Sequence, residues 1–412
     1  MKLLFSTLFL AFTFLSCSNN EEVSSPEDQE TTVNSKPNIL LVIADDMGLD
    51  ATLGYDFGST KPNTPNLQTM INEGVKFTNT WSYSVCTPTR ASILTGKYGF
   101  RTQVNKVGDE LSTTETSLHK YLDTNNSGYN HAVIGKWHLS NDINHPNNMG
   151  VDYYAGLLSG GVQSYSNWNL TENGQITSFN EYTTTKFTDL AIDWVDNQTE
   201  PWFLWLAYNA PHTPFHLPPN SLHSQGDLPT DDSSISSNPT PYYMAMIEAM
   251  DTEMGRLLNS LSDEERGNTI IIFIGDNGRC NVRGKGYLYE PGLHLPLIVN
   301  WPAGITGGKK DTRLVASVDV AATIIEAAGI DLPSYMTARS IIKDDKKPRE
   351  YIYSARDLWD EVLEQSRAVT TKKFRYIKNN ITNQSHDAHQ AYLEFHRPAV
   401  HVMRGLNEKG EL

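Results

Sequence analysis

The sequence predicts an α/β fold: a large, mostly parallel central sheet flanked by helices, followed by a small antiparallel subdomain. Three observations carry that prediction. Short, continuous apolar runs of strand length recur along the chain. Helical patterns alternate with them. After about Tyr335 the texture changes to short, separated strand patterns.

Ile39–Ala44 is apolar at every position, as a strand buried on both faces requires. His131–Ile134, Trp202–Tyr208, Ile270–Ile274 and Leu297–Val299 are similar. Between them, Asn66–Glu73 carries Leu67, Met70 and Ile71 on one helical face and stops at Gly74. Ser112 and Glu115 have the spacing of a capping box ahead of Leu118 and Leu122. Phe187, Leu190, Ala191, Trp194 and Val195 form one apolar stripe; Ile247, Met250, Met254, Leu257, Leu258 and Leu261 form another. Ala316–Ala328 is a further helix candidate, ending at Gly329. Beyond it, Tyr351–Tyr353, Arg367–Val369 and Phe374–Ile377 read as strands with a turn at Lys372-Lys373, and Ala388–Leu412 reads as partly helical.

The chain has 412 residues, enough for one large domain and a small one. Lys and Arg total 33 against 48 Asp and Glu, a formal net charge of −15. That balance argues against unspecific binding to nucleic acid or to an anionic membrane, and leaves room for a small basic pocket. Three cysteines, Cys17, Cys86 and Cys280, exclude a disulfide framework and a Cys-rich zinc site.

Residues 1–16 read as an export signal: Lys2 supplies a positive start, and Leu3–Leu15 is apolar but too short to span a bilayer. Ser16-Cys17 at its end resembles a bacterial lipobox, although Phe14 departs from the usual small aliphatic residue. The resemblance implies lipidation of Cys17, and the Ser/Glu/Thr-rich stretch without apolar periodicity reads as a flexible linker over 17–36. The expectation is an exported lipoprotein held at the outer membrane or cell surface by its lipid; a plain secretory signal would leave it periplasmic.

The chemistry sits after the buried runs. Ala44 is followed by Asp45-Asp46, Ile134 by Gly135, Lys136, Trp137 and His138, Tyr208 by Asn209 and then His212, and Ile274 by Gly275, Asp276 and Asn277. In open α/β sheets, ligands bind at the carboxyl ends of the strands, so parallel strands would bring these groups together. Asp45, Asp46, Asp276 and Asn277 are hard oxygen donors, which points to Ca²⁺ or Mg²⁺ rather than zinc. A solvated strand end would explain one such pair; two pairs after two buried strands favour a metal. Lys136, His138, His212 and Lys285 add positive charge and proton-transfer capacity, against the plainer reading of solvated charges and structural imidazoles. Cys86 precedes Pro88, where an apolar pattern suggests a helix start, with Arg90 in its first turn. A thiol there is either a buried structural group, a thiolate nucleophile or part of an anion site.

These residues together resemble the type I sulfatases of the alkaline phosphatase superfamily. The signature Cys-x-Pro-x-Arg stands as Cys86, Pro88 and Arg90, with Thr95-Gly96 in its tail. Around it, in the family's order, stand Asp45-Asp46, Thr64-Pro65-Asn66, Gly135 to His138, Pro211-His212, Asp276-Asn277 and Gly284-Lys285. The resemblance implies a catalytic domain over 37–334 and a small subdomain over 335–412. It implies that a separate maturation enzyme oxidises Cys86 to formylglycine, and that Asp45, Asp46, Asp276, Asn277 and the converted Cys86 hold one Ca²⁺. By the same carry-over, the hydrated aldehyde, held by Arg90, attacks sulfur, with Asp276 a candidate acceptor for its proton. Lys136 and Lys285 stabilise the charge, His212 protonates the leaving alcohol, and His138 helps to expel sulfate. The implied substrate is a sulfated carbohydrate, polysaccharide or oligosaccharide. Trp168, His216, Arg283 and Tyr287 are candidate sugar contacts from nearby loops.

Two departures stand out. After Tyr289-Glu290 the sequence reads Pro291-Gly292-Leu293-His294 where the family often has Gly-Gly and an Arg, which is closer to the N-sulfoglucosamine sulfohydrolase-like branch. The subdomain also ends at Glu411-Leu412, where relatives carry a further segment, so it is either truncated or trimmed. The rival readings are a phosphonate or phosphate ester hydrolase of the same superfamily, and a non-catalytic glycan-binding protein on the cell surface.

Overall fold

The computed structural model describes residues 36–343, 347–359, 362–383 and 391–412. The signal peptide, Cys17 and nearly all of the expected linker lie outside the described residues. Among those described, no helix is long and apolar enough to cross a membrane. Lys36–Leu412 is one compact unit.

Eleven strands build the main sheet: Asn38–Ala44 (β1), Val75–Trp81 (β2), Asn130–Lys136 (β3), Tyr153–Leu157 (β4), Trp168–Glu172 (β5), Gln175–Phe179 (β6), Trp202–Tyr208 (β7), Thr269–Gly275 (β8), His294–Asn300 (β9), Lys309–Asp311 (β10) and Val315–Ala316 (β11). Their order is β10-β2-β9-β8-β1-β7-β3-β4-β5-β6, with β11 beside β2. The centre, β8-β1-β7-β3-β4, is wholly parallel; β9 and β5 run against it on either side, and β6 pairs antiparallel with β5. Ile352–Trp359 (β12), Val362–Thr370 (β13) and Arg375–Asn379 (β14) form a separate antiparallel sheet.

β1 shows why the apolar runs are continuous. Leu40, Val42 and Ala44 enter one core, while Ile39, Leu41 and Ile43 enter the other. Helices Pro65–Glu73, Thr183–Asp196 and Thr240–Ser260 cover the first face; Cys86–Thr95, Leu118–Thr124 and Asp319–Ala327 cover the second. One local expectation fails. Ser112 does not cap a helix: its hydroxyl bonds Thr114, and Ser117 caps Leu118–Thr124 by accepting from the Lys120 amide. The hydroxyl next to the first apolar helical position wins over the box spacing.

Close strand approach fixes the position of the Lys136 end. Gly135 has φ +104°, and a Cβ there would lie 2.0 Å from the Ala207 carbonyl oxygen. On the other side, a Cβ at Gly156 would lie 1.8 Å from the Gly135 oxygen. Gly135→Ala should therefore destabilise the chain by about 1–3 kcal/mol, as overpacking does. Gly108, with φ +82° and open space at its Cβ position, is the control for left-handed strain alone. Chemical denaturation should give Gly135→Ala clearly the larger loss; equal losses would remove the steric argument.

Candidate active site

The carboxyl ends of β1, β3 and β8 deliver Asp45-Asp46, Lys136 and Asp276-Asn277 into one buried cluster, joined by Arg90 from the helix Cys86–Thr95 and by Lys285 from the loop after β8. All seven side chains are at most 2% exposed. Lys136 Nζ donates to Asp45 Oδ2 at 2.5 Å, and Lys285 Nζ to Asp46 Oδ1 at 2.6 Å. Arg90 donates through Nε and Nη2 to Asp276 Oδ2, at 3.0 and 2.8 Å, and through Nη1 to the Lys136 carbonyl at 2.8 Å. Its guanidinium thus ties the β8 carboxylate to β3. On this geometry Arg90 positions the acidic cluster, and it also stands within electrostatic reach of Cys86.

Asp46 and His138 both have left-handed backbone, φ 65° and 57°. Non-glycine residues adopt it at a cost, which neighbouring structure must impose. At Asp46 the constraint is visible: its amide donates to Asp276 Oδ1 at 3.1 Å, and its carboxylate accepts from Asn277 Nδ2 at 2.7 Å.

Three oxygens of this cluster lack hydrogen-bond partners: Asp45 Oδ1, Asp46 Oδ2 and Asn277 Oδ1. Buried acceptors are costly to leave unmade, and three on adjacent side chains are what a hard cation satisfies. The donor set therefore fits Ca²⁺. Burial pushes Asp45 up to about 8 against the pull of Lys136. For Asp46 burial acts in the same sense, but Lys285 and His212 outweigh it and hold the carboxyl below its ordinary range.

Cys86 opens its helix, 1% exposed, with its sulfur grouped with oxygens of Asp45 and Asp276 within 4.8 Å. The helix begins two residues earlier than Pro88 suggested. Burial raises the thiol above its ordinary value although Lys136 and Lys285 oppose this, so Cys86 as it stands is poorly disposed to act as a plain thiolate.

His138 lies beside Thr87 Oγ1, at 3.3 Å from Nε2. His212 Nδ1 is 2.7 Å from the Thr213 carbonyl, which assigns its proton there and turns Nε2 towards Asp46 Oδ2, 3.9 Å away. Burial lowers both imidazoles well below their ordinary value, reinforced at His138 by Lys136 and at His212 by Lys285. Gly160 and Gly161 pack on the two rings: a Cβ on the first would come within 2.7 Å of His138 and on the second within 3.2 Å of His212.

The four expected sugar contacts separate. Trp168 is corrected: its ring is 5% exposed, packs on Phe179 and Phe187, and donates Nε1 to the Glu181 carbonyl, so it belongs to the core. His216 is half-buried, against Tyr165 and within 3.1 Å of the Tyr182 hydroxyl. Arg283 and Tyr287 line one cavity. Sequence reasoning missed Tyr392, whose hydroxyl is 3.3 Å from His212 Nε2 and whose ring stands 5.4 Å from Lys285 Nζ. No local pattern marks it. Thr87, beside His138, was nearer to hand, inside the Cys86 motif.

The family model described as Sulfatase matches residues 37–330. The chain belongs to the sulfatase family. A second model, N-sulphoglucosamine sulphohydrolase, C-terminal, matches 278–393. Among curated relatives, the uncharacterized sulfatase YdeN of Escherichia coli is 30% identical over 74% of this chain and 64% of its own length. The ulvan-active sulfatase of Formosa agariphila is 26% identical over 100% of this chain and 72% of its own. The chain thus spans about two thirds of the length of these sulfatases. A crystal structure of Ps i-CgsB in complex with k-i-k-neocarrahexaose has the same fold, with a TM-score of 0.70 at 24% identity, covering 92% of this chain and 93% of that one.

Arg90→Ala should unfold the chain at lower denaturant, by about 3–5 kcal/mol, because it strands Asp276 in a dry site. Equilibrium denaturation reads this directly. Arg90→Lys should recover only part of the loss, since an ammonium cannot reproduce the fork.

Proposed function

We propose that this sulfatase-family chain hydrolyses sulfate esters of a sulfated polysaccharide or oligosaccharide, using a formylglycine made from Cys86 and one Ca²⁺. The observation that carries the reading is Cys86 itself: a buried helix-start cysteine grouped with Asp45 and Asp276 and flanked by Lys136 and Lys285. Asp45, Asp46, Asp276 and Asn277 would hold the cation, which when bound neutralises sulfate oxygens. Oxidation of Cys86 by a maturation enzyme would supply an electrophilic aldehyde whose hydrate is the nucleophile.

The chain's own residues do the rest. Lys136 and Lys285, each already hydrogen-bonded to a carboxylate, would share their charge with a sulfate and with the charge that develops on it. Arg90 keeps Asp276 in position. His212 presents Nε2 towards Asp46 and the site, where it would deliver a proton to the leaving oxygen. An incoming anion stabilises the protonated ring, so substrate binding offsets the lowering that burial and Lys285 impose on it. His138, beside Thr87 in the first turn of the helix that Cys86 opens, would take a proton from the nucleophile side during sulfate release.

A carbohydrate substrate is supported by the names that similar proteins carry, among them the ulvan-active sulfatase and an N-acetylglucosamine-6-O-sulfatase of Bacteroides thetaiotaomicron. The N-terminal signal and Cys17 support export and lipid anchoring at the outer membrane or surface.

Sulfate release from a panel of sulfated glycans, with chain whose Cys86 is converted, tests this. Cys86→Ala should abolish release while leaving the fold intact. Phosphate esters and phosphonates should turn over at least tenfold more slowly. Faster phosphate release would replace the reading with the phosphohydrolase one, and glycan binding with no turnover by the converted chain would leave a binding protein.

A further inference from the structure

The loop that carries Lys285 also walls a cavity of about 440 Å³. Its wall includes Arg283, Tyr287, Tyr289, Arg397, Val400 and Arg404. Arg397 is the unusual member. It is 3% exposed, and its Nη2 donates to the Lys285 carbonyl at 2.6 Å. Its Nε and Nη1 have no hydrogen-bond partner, and among the described residues no carboxylate pairs with it. Tyr287 and Trp359 flank the guanidinium, 5.9 and 5.8 Å from its carbon. Arg356 also stands over Tyr287, at 4.6 Å, but is paired with Glu364. Arg283 is exposed and lies over the Tyr289 ring.

A buried guanidinium with unmade donors and no counter-charge is expensive, and the expense is relieved when an anion arrives. Tyr287, Tyr289 and Val400 line the cavity beside it and add aromatic and apolar wall against which a sugar can pack. We propose that this cavity is a second anion subsite, taking a sulfate or carboxylate on a sugar unit next to the one desulfated. The inference rests on the carbohydrate sulfatase reading above. It makes the preferred substrate an oligosaccharide with charge on two neighbouring units, and Arg397 a specificity residue.

The test uses the full chain carrying Cys86→Ala, titrated calorimetrically with Ca²⁺ present. The probes are a monosulfated methyl glycoside and sulfated oligosaccharides from algal galactan, ulvan and glycosaminoglycan. In one set the neighbouring unit carries sulfate, in a second uronate, in a third no charge. At least one charged-neighbour oligosaccharide should bind more tightly than the glycoside and than its neutral-neighbour counterpart. Arg397→Gln should weaken that oligosaccharide on the order of ten- to hundredfold and leave the glycoside unchanged. Arg283→Gln, on the exposed rim, should weaken it several-fold and decides the matter if Arg397→Gln does not fold. Whichever of sulfate or uronate shows the loss identifies the anion. Unchanged oligosaccharide binding in the variants overturns the subsite, as does equal weakening of both probes, which would mean that Arg397 only positions Lys285. So does a panel in which no oligosaccharide outbinds the glycoside. Because binding is read without turnover, failure of the sulfatase reading would show separately, as a converted wild-type chain that binds these probes and releases no sulfate.

Discussion

Three carboxylates buried at the ends of neighbouring strands are the constraint from which the rest follows. Asp45, Asp46 and Asp276 cannot share a dry volume as anions without compensation. The structure sets three cations against them, Lys136, Lys285 and Arg90, each in direct hydrogen-bonded contact. Charge is thereby balanced within the protein, yet one oxygen of Asp45, one of Asp46 and that of Asn277 stay unsatisfied. A divalent cation satisfies those oxygens and tips the balance positive, which is what a site for an anionic ester needs. A chain of net charge −15 can thus present a cationic pocket without a basic surface.

Rigid surroundings make this arrangement tenable. β1 packs into both cores, so Asp45 and Asp46 leave the sheet from a strand anchored on both faces. Gly135 and Gly156 allow β3 to sit close to both neighbours, which fixes where Lys136 emerges. The strained backbone of Asp46 and His138 lies at the ends of those same strands.

How much of this the sequence revealed depends on how local each signal is. A strand buried on two faces must be apolar at every position, so β1, β3, β7 and β8 could be read directly, and with them the polar residues they deliver. Cys86, Pro88 and Arg90 lie close together in one helix and were equally plain. Trp168 misled because an aromatic in a loop-like stretch looks the same whether it faces a sugar or Phe187. Tyr392 and Arg397 were invisible because their meaning is wholly tertiary: one touches His212 and the other Lys285, each more than a hundred residues away. Ser112 shows the reverse error, a motif with correct spacing overridden by a better-placed hydroxyl at Ser117.

The unsatisfied oxygens of Asp45, Asp46 and Asn277 form a cation site on which stability depends. Calcium titration of the chelator-stripped full chain, read as thermal unfolding, addresses it without any substrate. Calcium should give saturable stabilisation that reaches about 2.7 kcal/mol at a hundredfold excess over Kd, and that disappears in the Asp45→Asn, Asp46→Asn double variant. A wild-type chain whose unfolding is indifferent to calcium, or a double variant that responds equally, would contradict it.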